Sequence, residues 1–331
     1  MLNFDENAVL QDHRNGLALI PQTQDIVDRL CARGYSGIFY LGIGGTVLYA
    51  SQMLHIVREL QGTLPFHLEN AADLCCEGNV FLDANSLVVV ESISGDTKEL
   101  VDALERVKAI GATAIGYVEK VDSPVAMLLD EKVVSKNCAY YFWYTVTLRL
   151  LHNAGQFPDY DALVSDMQAL PEAIVQVYRE ADPQAEEYAA SYCDEPITYL
   201  VGSGNLQDWA TCYGMCIMEE MQWMKTRPVS AADFFHGTLE VIERDVPVIL
   251  IKGEDRTRPQ MERVENFVHK ISAKVTVFDT KDFSLAGIRQ EFRWILSPIV
   301  MRSAFQRVNA HLEHNRRHPL AIRRYYRRLD Y

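Results

Sequence analysis

Short runs of β-branched and aliphatic residues alternate along the chain with longer stretches in which apolar residues recur every three or four positions. That alternation predicts strands and helices in turn, the pattern of an α/β fold with a parallel sheet. Gly37 to Leu41 reads as a strand, followed by Gly42-Ile43-Gly44-Gly45-Thr46 and a helix to about Leu60. Phe66 to Glu69 reads as a second strand and Leu87 to Val90 as a third. A helix with the apolar face Leu100, Val101, Leu104, Val107 and Ile110 comes next, then a fourth strand at Thr113 to Val118. Residues 123–150 carry a short helix, a strand near Val133-Val134 and a helix rich in aromatic residues.

The pattern then returns. Ile197 to Val201 runs into Gly202-Ser203-Gly204-Asn205 and a long helix to about Met224. Val246 to Ile251 leads to Gly253-Glu254-Asp255-Arg256-Thr257, a helix from about Gln260 and a strand at Val275 to Phe278. The Tyr-Leu pair and glycine loop at 40–45 recur at 199–204, so two copies of one unit are expected. The predicted organisation is a first domain over 1–155, a helical connector over 156–195 with Pro158, Pro171 and Pro183, and a second domain over 196–331.

Composition narrows the partners. The 331 residues are 48% hydrophobic and 23% charged, ordinary for a globular protein, and length alone allows about two domains. A formal charge of −13 repels polyanions, which argues against nucleic acid and anionic membrane surfaces. No apolar run approaches the roughly 20 residues of a membrane helix. The N-terminus, Met1 to Glu6, is acidic where a secretory signal would be basic. Seven cysteines without framework spacing suggest reduced thiols in the cytoplasm; Cys212 and Cys216, one helical turn apart, read as buried small residues rather than a metal site.

The most informative loop is Ser92-Ile93-Ser94-Gly95-Asp96-Thr97, between the third strand and its helix. A strand, a hydroxyl-rich turn and a helix start aim unpaired backbone N–H groups and a helix dipole at an anion. Three hydroxyls add neutral donors, which suits a phosphate monoester on a small metabolite. At the equivalent place the second copy has Glu254 and Asp255, whose charges would repel a phosphate, so one phosphate site per chain is expected. The loop at 42–46, with Glu69 at the next strand, could be part of a dinucleotide fingerprint, but Val47 stands where the third glycine belongs.

The loops together resemble the sugar isomerase (SIS) domain, a doubly wound fold that binds phosphosugars. Its Ser-x-Ser-Gly-x-Thr motif is met by Ser92, Ser94, Gly95 and Thr97, and its Gly-Gly-Ser/Thr loop by Gly44, Gly45 and Thr46. The resemblance implies two doubly wound SIS domains in tandem, with the phosphate held among these residues. Met218 to Trp223 and Ala232 to Gly237 are similar to the double-SIS branch, where a helical Glu and a later His are catalytic; here Glu220 and His236 keep that spacing. Phe234-Phe235-His236-Gly237 and His318 to Tyr325 look like the bacterial deglycases of phosphorylated Amadori products. Asp233, Ala232 and Thr238 depart from that branch, standing for its usual Glu, Gly and Pro.

By this resemblance the activity is cleavage of a 6-phosphorylated sugar–amino acid conjugate, with Glu220 as base, His236 opening the sugar ring, and neither metal nor redox cofactor. A homodimer or higher homo-oligomer with shared sites is implied, with a phosphosugar-amine as the small-molecule partner. Alternatives are a glucosamine-6-phosphate-type isomerase or deaminase, a non-catalytic phosphosugar regulator, and an NAD-linked enzyme. No glutaminase segment precedes residue 35, which argues against a full glucosamine-6-phosphate synthase. His311, His314 and His318 read as a solvated helix face, since Arg316 and Arg317 would repel a metal. The basic tail offers either surface salt bridges or an anion clamp, with Arg323 and Arg324 the candidates.

Overall fold

A computed structural model describes residues 1–329, in two compact units: residues 7–171 form one, residues 1–6 with those from Glu172 onward the other. The first has five parallel strands, β1 (Ile38–Gly42), β2 (Phe66–Asn70), β3 (Leu87–Ser92), β4 (Thr113–Val118) and β5 (Glu131–Val134), in the order β2-β1-β3-β4-β5. Ile38 pairs with Leu87 and Leu41 with Val90, which puts the chain leaving β1 beside the chain leaving β3.

Both faces of this sheet are covered, which is why its central strands read as unbroken apolar runs. Phe39, Leu41, Val88 and Val90 pack on one face with Leu100, Leu104 and Val107 of the helix Lys98–Ile110, and with Leu74 and Val125. On the other face Tyr40 packs edge-on against Trp143, ring centres 5.0 Å apart, and its hydroxyl lies 2.7 Å from that of Thr147. Both partners belong to the aromatic helix Ala139–Asn153. Burying one valine fully contributes about 1.5–3 kcal/mol, so Val88, Val89 and Val90 together make β3 a firm floor for the loop after it.

The second unit repeats the plan with four parallel strands, β6 (Thr198–Gly202), β7 (Thr226–Ser230), β8 (Val248–Lys252) and β9 (Val275–Asp279), ordered β7-β6-β8-β9. This is the first unit's order without a fifth strand. Its core joins Val201, Val248 and Leu250 to Met261, Val264 and Val268 of the helix Arg258–Ile271. Pro228 is tolerated in β7 because that strand is the sheet edge. Residues of the expected connector form the helices Tyr160–Met167 and Leu170–Tyr192, and the division between units falls close to where the second begins.

Two expectations need correction. The helix predicted to reach Met224 stops short: a turn at Gly204–Leu206 and an α-helix at Gln207–Cys212 pass into a π-helical segment, Tyr213–Glu219, after which the chain turns into β7. Of the anticipated solvated histidines only His314 is exposed on the helix; His318 lies past the helix end, half-buried, with its Nε2 buried. His311 is buried on the helix Gln290–Arg316, 2.9 Å from Asp182. Burial would raise the Asp182 carboxyl, but its bonds with His311 and Arg307 hold it below the ordinary range. No helix among the described residues is long and apolar enough to cross a membrane.

Candidate functional site

In a sheet ordered 2-1-3-4-5, ligands bind beyond the carboxyl ends of the first and third strands, where successive helices leave for opposite faces. The loops at 43–46 and 92–97 lie at those two ends. Ser92 is buried and its Oγ accepts from Gly95 N at 3.1 Å, so this hydroxyl shapes the turn. Gly95 has φ +78°, and a Cβ there would come within 2.2 Å of Ser123 Cβ; only glycine lets the turn close. Ser94 and Thr97 are partly exposed, with hydroxyl oxygens 3.3 Å apart. Thr97 begins the helix without spending its side chain on a cap bond, so that hydroxyl and the first helical N–H groups face the same end. Thr46 behaves differently, because its Oγ1 accepts from Ile43 N at 3.2 Å and donates to Ile43 O at 3.1 Å. Gly44 and Gly45 start the helix Gly45–Glu59.

One residue here escaped sequence reasoning. Glu91 is buried at the end of β3 and accepts from Trp143 Nε1 at 2.5 Å. A carboxylate interrupting an apolar run just before the hydroxyl loop was the available signal.

The second unit's corresponding loops are filled from within. Asp255 is buried; its Oδ2 accepts from Asn205 N at 3.2 Å, and its Oδ1 from Thr257 N at 2.8 Å and Thr257 Oγ1 at 2.5 Å. Thr257 Oγ1 also lies 2.9 Å from Ser203 Oγ. Gly204, at φ +53°, makes room: a Cβ there would meet Asp255 Oδ2 at 2.1 Å. The carboxylate thus takes the donors that an anion would need. Glu254 turns elsewhere, to Arg293 Nε at 3.0 Å.

The π-helical segment ends at Glu219-Glu220 and separates the two carboxylates. Glu219 Oε1 accepts from Thr226 Oγ1 at 2.6 Å, tying the chain into β7. Glu220 instead accepts at Oε1 from Arg323 Nε, 2.7 Å away. Both carboxylates line a cavity of about 660 Å³ that also involves Trp223, Lys225, Arg323 and Arg324. Trp223 holds φ +56°, costly for a bulky side chain at roughly 1–3 kcal/mol. Its ring carries the Arg324 guanidinium 4.2 Å from the centroid and meets His318 edge-on at 4.3 Å. One turn earlier, the Cys216 thiol is pulled down by its hydrogen bond with Cys212.

His236 is exposed, which rules out a core histidine. Phe234 is buried beneath it, and successive turns, Asp233 N to Ser230 O at 3.1 Å and His236 N to Asp233 O at 2.8 Å, display the ring. Asp233 and Ala232 are exposed, while Thr238 is buried. His236 is not among the residues lining the Glu220 cavity. The described structure therefore gathers Glu220, Arg323 and Arg324 in one cavity, gathers Ser92, Ser94 and Thr97 in one loop, and sets His236 on its own turn.

Comparison with known proteins shows what the chain is similar to. Residues 35–151 match the SIS domain. Over 323 residues the chain is 28% identical to the fructosamine deglycase of Bacillus subtilis, covering 94% of this chain and 97% of that protein. It is 25% identical over 315 residues to the fructoselysine 6-phosphate deglycase of Escherichia coli K12, covering 93% and 90%. The solved structure of a candidate phosphosugar isomerase from Bacillus subtilis superposes with a TM-score of 0.90 at 25% identity, over 96% of this chain and all of that one.

Proposed function

We propose, from the premise that residues 35–151 are a SIS domain, that the protein is a deglycase. It cleaves a 6-phosphorylated conjugate of a hexose and an amino acid, fructosyl or glucosyl, to hexose 6-phosphate and free amino acid. The observation that carries this reading is the Glu220 carboxylate, held by Arg323 at 2.7 Å on the lining of a cavity of substrate size, while Glu219 on the same lining is spent on Thr226. The activities named for the two deglycases similar to this chain support it.

Ser92, Ser94, Thr97 and the helix start after them hold the phosphate, with Gly44, Gly45 and Thr46 closing the opposite strand end; this remote binding positions the reacting carbons. His236 takes the proton from the anomeric hydroxyl and gives one to the ring oxygen, which opens the sugar. For a fructosyl conjugate, Glu220 removes a proton from C1 while the C2 carbonyl oxygen gains one, giving an enaminol. Glu220 then returns the proton at C2, leaving an imine between C1 and the amino-acid nitrogen. Water adds to C1, the C–N bond breaks, and the amine leaves protonated. The sum is a hydrolysis, so electrons balance without a redox partner. A homodimer or higher homo-oligomer with shared sites belongs to this proposal, and sedimentation velocity at assay concentration checks it.

The test is incubation with 6-phosphofructosyl- and 6-phosphoglucosyl-amino acids, coupled to glucose 6-phosphate detection with phosphoglucose isomerase present. Hexose phosphate released in step with free amino acid is expected. Failure of the folded protein to turn over either class refutes the reading. Release of ammonia from glucosamine 6-phosphate instead would select the isomerase or deaminase alternative.

A further inference from the structure

Two guanidiniums frame the cavity that Glu219 and Glu220 line, and Glu220 is the one carboxylate bonded to either of them among the described residues. Arg323 gives Nε to Glu220 at 2.7 Å and Nη1 to the carbonyls of Leu320 and Ile322, at 2.6 and 3.0 Å. Its Nη2 has no hydrogen-bond partner among the described residues. Arg324 sits over the Trp223 ring and has no carboxylate partner among them either. Lys225, exposed on the same lining, adds a third positive charge. Trp223 accepts a left-handed backbone in presenting its ring to Arg324, an outlier of the kind that clusters at functional sites.

A planar carboxylate is the natural ligand for such a pair of guanidinium forks. We propose that this cavity is the subsite for the amino-acid half of the conjugate, and that Arg323 is a positioning residue that couples carboxylate recognition to release of the base. The inference rests on the deglycase reading. In the unliganded protein Glu220 is held by Arg323. The α-carboxylate of a bound conjugate takes Nη2 of Arg323 and the exposed edge of Arg324, drawing Arg323 away, and Glu220 Oε1 is left for the C1 proton. A conjugate of a simple amine brings no competing anion, so Arg323 stays on Glu220 and the base remains engaged. Selectivity for amino acids over amines thereby appears in turnover as well as in binding.

The experiment compares 6-phosphofructosyl-glycine with 6-phosphofructosyl-glycinamide, equal in size but neutral at the cavity end. Both are assayed with the wild type and with Arg323→Gln, Arg323→Lys and Arg324→Gln, after thermal melts establish that each variant is folded. Calorimetry with the two borohydride-reduced, unreactive analogues gives binding separately from turnover. The wild type is expected to favour the carboxylate by about tenfold to a hundredfold in kcat/KM, the range of one charge-assisted contact. Arg324→Gln loses most of that preference through KM. Arg323→Gln raises kcat on the amide toward that on the carboxylate and weakens the carboxylate through KM, and Arg323→Lys restores part of the difference. An Arg323→Gln variant that slows both substrates equally overturns the coupling. Equal wild-type binding of the two reduced analogues overturns the subsite even where both conjugates turn over. Preferential binding of the carboxylate analogue without turnover of either conjugate refutes the deglycase reading and leaves the subsite standing.

Discussion

The two units build the same strand-end geometry and occupy it in opposite ways. In the first, Ser94 and Thr97 present hydroxyls 3.3 Å apart at a helix start, and Ser92 is spent on holding Gly95. In the second, the Asp255 carboxylate sits among Asn205 N, Thr257 N and the Thr257 hydroxyl. Donors arranged for an anion are costly to bury unpaired, so a duplicated cradle must keep its ligand or grow one. The second copy has grown one: its own carboxylate does structurally what a phosphate is proposed to do in the first. The freed unit then carries different equipment, with Glu220 at the end of a π-helical turn and His236 on an exposed loop.

The comparison breaks most visibly at Glu220. Glu220→Gln is expected to lower kcat about a thousandfold, the usual weight of a positioned base, with phosphosugar binding retained; steady-state kinetics and calorimetry measure the two effects. Glu219→Gln, which touches the β7 turn, should act mainly on stability. The next largest effect belongs to the open loop. Ser94→Ala with Thr97→Ala is expected to reduce kcat/KM about tenfold to a hundredfold, chiefly through KM, because each hydroxyl bonds a charged group. Ser203→Ala, which alters a hydroxyl within the second unit's filled loops, should leave KM as it is.

Asp255→Asn sharpens the idea of a built-in anion. It removes the charge and leaves acceptor and donor mismatched, so a stability loss of about 1–3 kcal/mol is expected, read as a melting point lower by several degrees. The smallest effect is the acid response of the neighbouring charge network. Burial would raise the Asp279 carboxyl, but bonds from Arg258, 2.8 and 2.5 Å long, outweigh it and hold the group below its ordinary 3.8. Its folded value is depressed, so its stabilisation is complete above pH 3.8 and disappears as the pH falls through the folded value. Asp279→Asn should therefore lower the melting point near neutrality and make the melting curve flatter below about pH 4.

The strands were legible because both sheets are covered on both faces, which writes Leu87 to Val90 and Val248 to Ile251 as plain apolar runs. β7 was not, since Arg227 and Pro228 break the pattern and the strand draws its order from pairing with β6. The helix end was misjudged because a π-turn leaves no periodic signature until the chain around it is packed. For the site, the hydroxyl loop and the Glu–His spacing could be read directly. Which of Glu219 and Glu220 binds the basic tail, and which of Glu254 and Asp255 fills the loop, depended on partners distant in sequence: Arg323 and Arg293. The tail could be read as basic, but Trp223, the platform for Arg324, carried no sequence signal of its own.

Calorimetric titration of glucose 6-phosphate into the intact protein tests the asymmetry most directly. One sugar phosphate per chain, lost in Ser94→Ala/Thr97→Ala and kept in Ser203→Ala, is the predicted result. Two per chain, or one that survives the Ser94→Ala/Thr97→Ala change, would contradict it.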